Sequence, residues 1–149
     1  MDAVLGAAAA KSIPIVDTHF HVLPWMDVRE LVTIMDRNGI HWAGGAWGAK
    51  QDEAVSVLGS RYIWSTGQRQ LLALHDKLEN TAFENPNTPD VKKGLSIVED
   101  DLRDRGARVI GEIIVNALTS TRQPAYRFKI KADSPTLKSL FGLAQKYNR

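Results

Sequence analysis

The sequence predicts an α/β fold in which four strands alternate with helices and form a parallel sheet. Apolar β-branched runs and helical stripes follow one another along the chain, an order that favours right-handed crossovers between parallel strands. The 149 residues, 44% hydrophobic and 24% charged, suit one soluble globular domain and argue against disorder. Cysteine is absent, so a transition metal would have to bind histidine and carboxylate side chains.

The first strand and helix are predicted within residues 13–39. Residues 13–20 form an apolar β-branched run with bulky groups on both faces, which is typical of a strand buried on both sides. Asp27 can cap the following helix, Glu30 can reach back in a capping box, and Gly39 supplies a left-handed stop. The apolar stripe of this helix consists of Val28, Leu31, Val32 and Met35.

The middle of the chain repeats this order. We expect a second strand over 41–47, a short helix over 52–58 and a third strand over 61–65. A leucine-rich helix is predicted over 69–79. The glycines Gly44, Gly45 and Gly48 are expected to permit a tight strand end, rather than to cradle a phosphate.

The last unit contains clear signals for where its helices begin and end. Thr88-Pro89 begins a helix with proline at its first position, and Gly106 ends it before a fourth strand over 108–115. Ser134-Pro135 opens the final helix. The two apolar stripes are Val91, Leu95, Val98 and Leu102, then Leu137, Leu140, Phe141 and Ala144.

A long polar stretch, 116–133, precedes that final helix, and loops of this length are functional or mobile. Residues 117–149 carry seven basic and one acidic side chain, so attraction for anions is concentrated there. The cations of the stretch either bind a substrate carboxylate or phosphate or form a solvated loop. They are Arg122, Arg127, Lys129 and Lys131, and no recognition motif marks them as a nucleic-acid site.

Two architectures fit four β/α units: a doubly wound sheet and part of a (β/α)₈ barrel. A doubly wound nucleotide-binding sheet carries a glycine-rich loop after its first strand, whereas residues 21–26 contain no glycine. Residues 1–12 are expected to be a flexible segment before the folded part, 13–149. They lack a basic start and are too short to span a bilayer, so no membrane partner is expected.

A pair of histidines ends the first strand. Alternation places Asp17, His19 and His21 on one face, with the histidine backbones about 6.6 Å apart. That spacing lets both rings bind one metal ion or a metal pair, or else both are hydrogen-bonded histidines of the core or its rim. His41 and His75 are interpreted as surface or strand-end histidines.

Alternation in the fourth strand places Glu112 and Asn116 on one face. Glu112 is then either part of a site or half of a buried ion pair. Trp25 follows the histidine pair and is the tryptophan best placed to line a substrate pocket. Large aromatic side chains, however, more often belong to the hydrophobic core.

Residues 15–21, Ile-Val-Asp-Thr-His-Phe-His, resemble the first-strand signature of the amidohydrolase superfamily, metal-dependent hydrolases with a distorted (β/α)₈ barrel. Residues 109–113, Val-Ile-Gly-Glu-Ile, are similar to a fourth-strand motif of some branches. The resemblance implies a TIM-barrel type fold of which the chain holds the first four β/α units, a half-barrel. It also implies a divalent metal ion, with zinc expected, whose ligands are His19, His21 and Glu112, the last as ligand or bridge.

The implied activity is hydrolysis, in which metal-activated water attacks an amide, ester or related bond of a small molecule. Trp25, Asn116, Arg122 and Arg127 would contact that substrate. A metal-dependent decarboxylase of the same superfamily and a self-associating half-barrel without catalysis are the alternatives. The family's later histidines and its aspartate have no counterpart here, so we expect a fragment completed by a C-terminal half or a second copy, in the cytoplasm.

Overall fold

The computed structural model describes residues 12–115 and 129–149. It divides into two compact units, Met1–Trp64 and Ser65–Arg149. Residues 1–11, most of the segment expected to be flexible, lie outside the described residues. No helix within the described ranges is both long enough and apolar enough to cross a membrane.

The first unit contains a three-stranded parallel sheet in the order β1-β2-β3. Its strands are β1 (Ile15–Phe20), β2 (Ile40–Gly45) and β3 (Tyr62–Ile63). Helices α1 (Val28–Asn38) and α2 (Gln51–Leu58) connect them, and a 3₁₀ turn at Gly59–Arg61 leads into β3. Parallel pairing and helical crossovers are therefore confirmed in this unit.

Helix α1 begins and ends where local chemistry predicts. The Asp27 carboxylate accepts hydrogen bonds from the backbone N–H groups of Arg29 at 2.8 Å and Glu30 at 3.3 Å. These bonds hold the pKa of the Asp27 carboxyl below its ordinary value, because they favour the ionised form. Gly39 ends the helix in the left-handed region at a φ of 68°. The residues that α1 buries are Val28, Leu31 and Met35.

Strand β1 is less buried than its composition predicts. Ile15 is 45% exposed and Val16 is 46% exposed, so the expectation of burial on both faces was wrong. The reason is position: within the described residues β1 pairs with β2 alone and forms the edge of the sheet. A β-branched run alone cannot distinguish an edge strand from a central one.

The second unit pairs two short parallel strands and surrounds them with helices. Strand β4 (Ser65–Gly67) lies beside β5 (Val109–Gly111), with Gly67 opposite Gly111. Its helices are α3 (Gln68–Leu78), α4 (Thr81–Glu84), α5 (Pro89–Arg103) and α6 (Pro135–Tyr147). The core they share includes Leu71, Leu74, Phe83, Val91, Val98, Leu102, Leu137 and Leu140.

Helix α5 carries a buried carboxylate as well as an apolar stripe. The Thr88 hydroxyl caps the helix by accepting from the Val91 N–H at 3.4 Å, as the Thr-Pro start predicts. Asp101, only 5% exposed, accepts from the Thr66 hydroxyl at 2.6 Å and from the Arg105 guanidinium at 2.9 Å. These bonds tie α5 to β4 and to the chain that leads into β5.

The predicted half-barrel is wrong in its sheet. The third predicted strand, 61–65, divides at Trp64: Tyr62–Ile63 pairs with β2, whereas Ser65–Gly67 pairs with β5. Two parallel sheets of three and two strands therefore replace the continuous four-stranded sheet, and no barrel is closed in the described ranges. No glycine or proline marks a break within residues 61–66, and strand pairing depends on distant partners that the local sequence does not encode.

Candidate metal centre

The ring of His21, in the segment just after β1, is oriented by a backbone carbonyl. Its Nδ1 atom lies 2.6 Å from the carbonyl oxygen of Trp47, in a half-buried position. A carbonyl oxygen only accepts hydrogen bonds, so Nδ1 carries the proton. In the neutral ring the Nε2 atom is then unprotonated, which is the form that binds a metal ion.

The two histidine rings converge on one point. The Nε2 atoms of His19 and His21 lie 3.3 Å apart, and the ring planes meet at 63°. Two nitrogen ligands at 2.0–2.1 Å from a tetrahedral ion are separated by about 3.3–3.4 Å. The spacing of the pair therefore matches one edge of a tetrahedral metal site, and the sequence prediction that both rings lie on one face holds.

Backbone contacts on both sides of the pair hold it in place. The Asp17 carboxylate accepts from the backbone N–H of His19 at 3.1 Å. Beyond Trp47, Gly48 lies against the chain that follows His21, where a Cβ on Gly48 would stand 2.7 Å from the Val22 nitrogen. Any side chain at Gly48 would push this loop away, so the glycine brings the Trp47 carbonyl within reach of His21.

The strand glycines have the predicted role. A Cβ on Gly44 would lie 2.2 Å from the Ile63 carbonyl oxygen, and one on Gly45 would lie 2.1 Å from that of Thr18. Both residues also have positive φ values, 140° and 81°. Glycine at these positions lets the end of β2 approach both neighbouring chains.

Glu112 follows β5 in the second unit and is half-buried. The side-chain amide of Gln68 donates to its Oε2 atom at 2.8 Å, and Gln68 itself is buried. Gln68 directly follows β4, so the parallel pairing of Gly67 with Gly111 brings the two side chains to the same edge of the sheet. Sequence reasoning missed Gln68, because the predicted third strand ended at residue 65 and the partner of Gln68, Glu112, lies 44 residues away in the chain.

The described residues thus supply nitrogen and oxygen ligands of the expected kind. The residues that could hold a metal ion are His19 and His21 in the first unit and Glu112 in the second. Each offers one ligand atom, and imidazole with carboxylate suits a divalent ion of the first transition row.

Other predicted site residues have different outcomes. Trp25 lies 78% exposed on the loop after His21, and Asn116, Arg122 and Arg127 lie outside the described residues. His41 is exposed beside Trp42, as expected. His75 is only 7% exposed and lies near Phe83, so its assignment to the surface was wrong because it occupies the inner face of α3.

Comparison of the chain with protein-family models, with curated proteins and with solved structures gave no match. The amidohydrolase resemblance therefore stays a prediction that depends on residues 15–21 and 109–113. The geometry of the histidine pair does not depend on that resemblance.

Proposed function

We propose that the chain belongs to a metal-dependent hydrolase of the amidohydrolase type, with His19 and His21 as ligands of a divalent ion. One observation carries the proposal: the two Nε2 atoms stand 3.3 Å apart while the Trp47 carbonyl holds the proton of His21 on Nδ1. A direct hydrogen bond between the rings would also give this distance, but only with the proton of His19 on Nε2. Binding of a metal ion distinguishes the two states.

Zinc is the ion that this donor set favours in our proposal. Imidazole nitrogen and carboxylate oxygen are common zinc ligands, and the separation of the pair fits tetrahedral coordination. A bound zinc ion lowers the pKa of its water to about 7 and polarises a carbonyl group. Glu112, oriented by the buried Gln68 amide, is the proposed third ligand.

The remaining parts of the proposal concern the substrate and the setting. The exposed indole of Trp25, on the loop after His21, offers an apolar face to a small-molecule substrate. Asn116, Arg122 and Arg127 stay proposed substrate contacts. The resemblance implies further metal ligands and a general base, which we propose come from additional polypeptide, and the cysteine-free composition agrees with a cytoplasmic location.

Activated esters test this function, because water activation by the ion suffices for their hydrolysis. We expect zinc-loaded protein to hydrolyse p-nitrophenyl acetate with a rate that rises through about pH 7. The H19A/H21A variant should lose this zinc-dependent rate, whereas H41A, which changes an exposed histidine on β2, should keep it. Equal zinc-dependent rates in wild type and H19A/H21A would contradict the proposal.

A further inference from the structure

The loop that directly follows His21 is held at both ends by one residue. It comprises residues 22–26, and Val22 at its beginning is completely buried. The backbone N–H of Lys50 donates to the Val22 carbonyl at 3.4 Å, and the Lys50 ammonium donates to the Met26 carbonyl at 2.7 Å. A hydrogen bond from a charged donor is stronger than a neutral one, so Lys50 fixes the end of the loop as well as its beginning.

A tight turn gives the same loop a defined shape. The backbone N–H of Met26 donates to the Leu23 carbonyl at 3.1 Å, and the Leu23 N–H donates to the Met26 sulfur at 3.4 Å. Pro24 stands at the second position of this turn, where its fixed φ is favourable. The turn reverses the chain at once, so Trp25, its third residue, stays close to the end of β1.

The fixed loop leaves Trp25 in solvent. Its indole is 78% exposed, more than any other large apolar side chain that the structure describes. A single exposed apolar residue is ordinary on a protein surface. This one differs because the bonds at both ends of its loop keep the backbone from moving to bury it. The loop therefore presents a flat apolar surface at a defined position.

The segment that holds the loop also holds His21. The Trp47 carbonyl accepts from the Nδ1 atom of His21, and Gly48 packs against Val22. Lys50, two residues further on, binds the loop as described above. The imidazole and the loop of Trp25 thus rest on the same four residues, 47–50, and a molecule bound at His21 would meet the indole in a constant arrangement.

We propose that Trp25 selects substrates with a flat aromatic ring on the carbonyl side of the bond that is hydrolysed, and that Lys50 is the residue that positions it. The carbonyl oxygen is the atom that a metal ion polarises, so the acyl group is the part of a substrate held next to His21. An aromatic ring gains more from contact with an indole than its buried area alone provides. This inference rests on the proposed metal-dependent hydrolysis and adds the class of substrate.

Two hydroxamates test the selection by Trp25 on the zinc-loaded full chain, with calorimetry as the readout. Benzohydroxamate and acetohydroxamate bind zinc through the same two oxygens, and they differ only in carrying a phenyl or a methyl group. We expect W25A to bind benzohydroxamate about tenfold more weakly and acetohydroxamate as wild type does. W25F should keep most of the benzohydroxamate affinity. I34A, which removes an exposed apolar side chain from α1, is the control and should bind both as wild type does.

Variants of Lys50 test its positioning role. K50M should lose part of the benzohydroxamate affinity while its affinities for zinc and acetohydroxamate stay unchanged. K50R should restore the benzohydroxamate affinity, because a guanidinium can still donate to the Met26 carbonyl. E53Q removes the other partner of the Lys50 ammonium, 3.5 Å away, and should bind benzohydroxamate as wild type does.

Amide hydrogen exchange tests the Lys50 contact without any metal ion. The Met26 amide should exchange faster in K50M than in wild type and K50R, because the turn opens more often. Unchanged exchange in K50M would overturn the positioning role of Lys50. Equal benzohydroxamate affinities in W25A and in wild type, both loaded with zinc, would overturn the substrate inference alone. A wild-type protein that binds neither zinc nor a hydroxamate would overturn the proposed function and this inference together.

Discussion

His21 donates its Nδ1–H to the carbonyl oxygen of Trp47 across 2.6 Å, between residues 26 positions apart in the chain. This bond decides which nitrogen of His21 is available as a ligand. The acceptor belongs to the backbone, so replacing the Trp47 side chain leaves it in place. The close packing of Gly48 on Val22 is the feature through which the bond can be perturbed.

The G48A substitution is therefore expected to weaken metal binding without removing a ligand. Its Cβ would stand 2.7 Å from the Val22 nitrogen, so the loop and the Trp47 carbonyl must shift. Loss of such an orienting bond typically costs 10- to 100-fold in metal affinity, which a chelator-competition titration measures. G142A adds a methyl group to open space on α6 and serves as the control. An affinity in G48A equal to that of G142A would show that the Trp47 contact is unimportant.

The E112Q substitution separates the two interpretations of Glu112. A glutamine keeps the size of the side chain, and its oxygen can still accept from Gln68. If Glu112 is a metal ligand, zinc affinity falls while the metal-free protein is no less stable, because a partly buried charge has been removed. If Glu112 is half of a buried ion pair, stability falls by about 3–5 kcal/mol with and without metal. Melts of both proteins with zinc and with chelator distinguish these outcomes, and our proposal requires the first.

Local chemistry explains why the helices were predictable from sequence. Asp27 and Thr88 cap backbone groups only two or three residues away, so residue type and spacing are enough to place both helix starts. The division of the third strand at Trp64 was not predictable in this way. It depends on β3 pairing with β2 and β4 pairing with β5, which are contacts between distant segments.

The candidate site shows the same limit. The alternation of a strand is enough to place His19 and His21 on one face. The Trp47 carbonyl was not predictable, because every residue carries a backbone carbonyl and none is marked in the sequence. Gln68 became visible only once β4 and β5 were paired, since 44 residues separate it from Glu112.

The cap of α1 gives a pH-dependent prediction. D27A removes the carboxylate that accepts from Arg29 and Glu30, so the melting temperature should fall by a few degrees at pH 7. The pKa of Asp27 is lowered in the folded protein, so its contribution is complete above the unfolded pKa near 4. That contribution is lost as pH falls through the lower folded value, and the difference between wild type and D27A should shrink there.

Metal content and a second variant control the Asp27 experiment. D27A should bind as much metal as wild type, and loss of metal would mean that Asp27 belongs to the site. D76A removes an exposed carboxylate from α3 and should leave the melting temperature nearly unchanged at both pH values. A difference between wild type and D27A that grows on acidification would have the wrong sign for a carboxyl with a lowered pKa.

The buried carboxylate of Asp101 is expected to stabilise the second unit. D101A leaves the Thr66 hydroxyl, 2.6 Å from Asp101 in the native protein, buried without its acceptor. An unsatisfied buried group of this kind costs about 1–3 kcal/mol, which urea unfolding measures. The double variant T66V/D101A removes donor and acceptor together, so it should lose less stability than the sum of T66V and D101A. Additive losses would show that the two side chains do not interact.

Zinc titration of the H19A/H21A variant beside wild type tests the metal site most directly. The two substitutions replace rings at the end of β1 that are not part of the buried core, so circular dichroism should show an unchanged fold. Our account predicts that wild type binds zinc saturably, that H19A/H21A does not, and that H41A binds it as wild type does. Zinc binding of equal stoichiometry and affinity in wild type and H19A/H21A would contradict it, because the histidine pair would then be only a hydrogen-bonded contact.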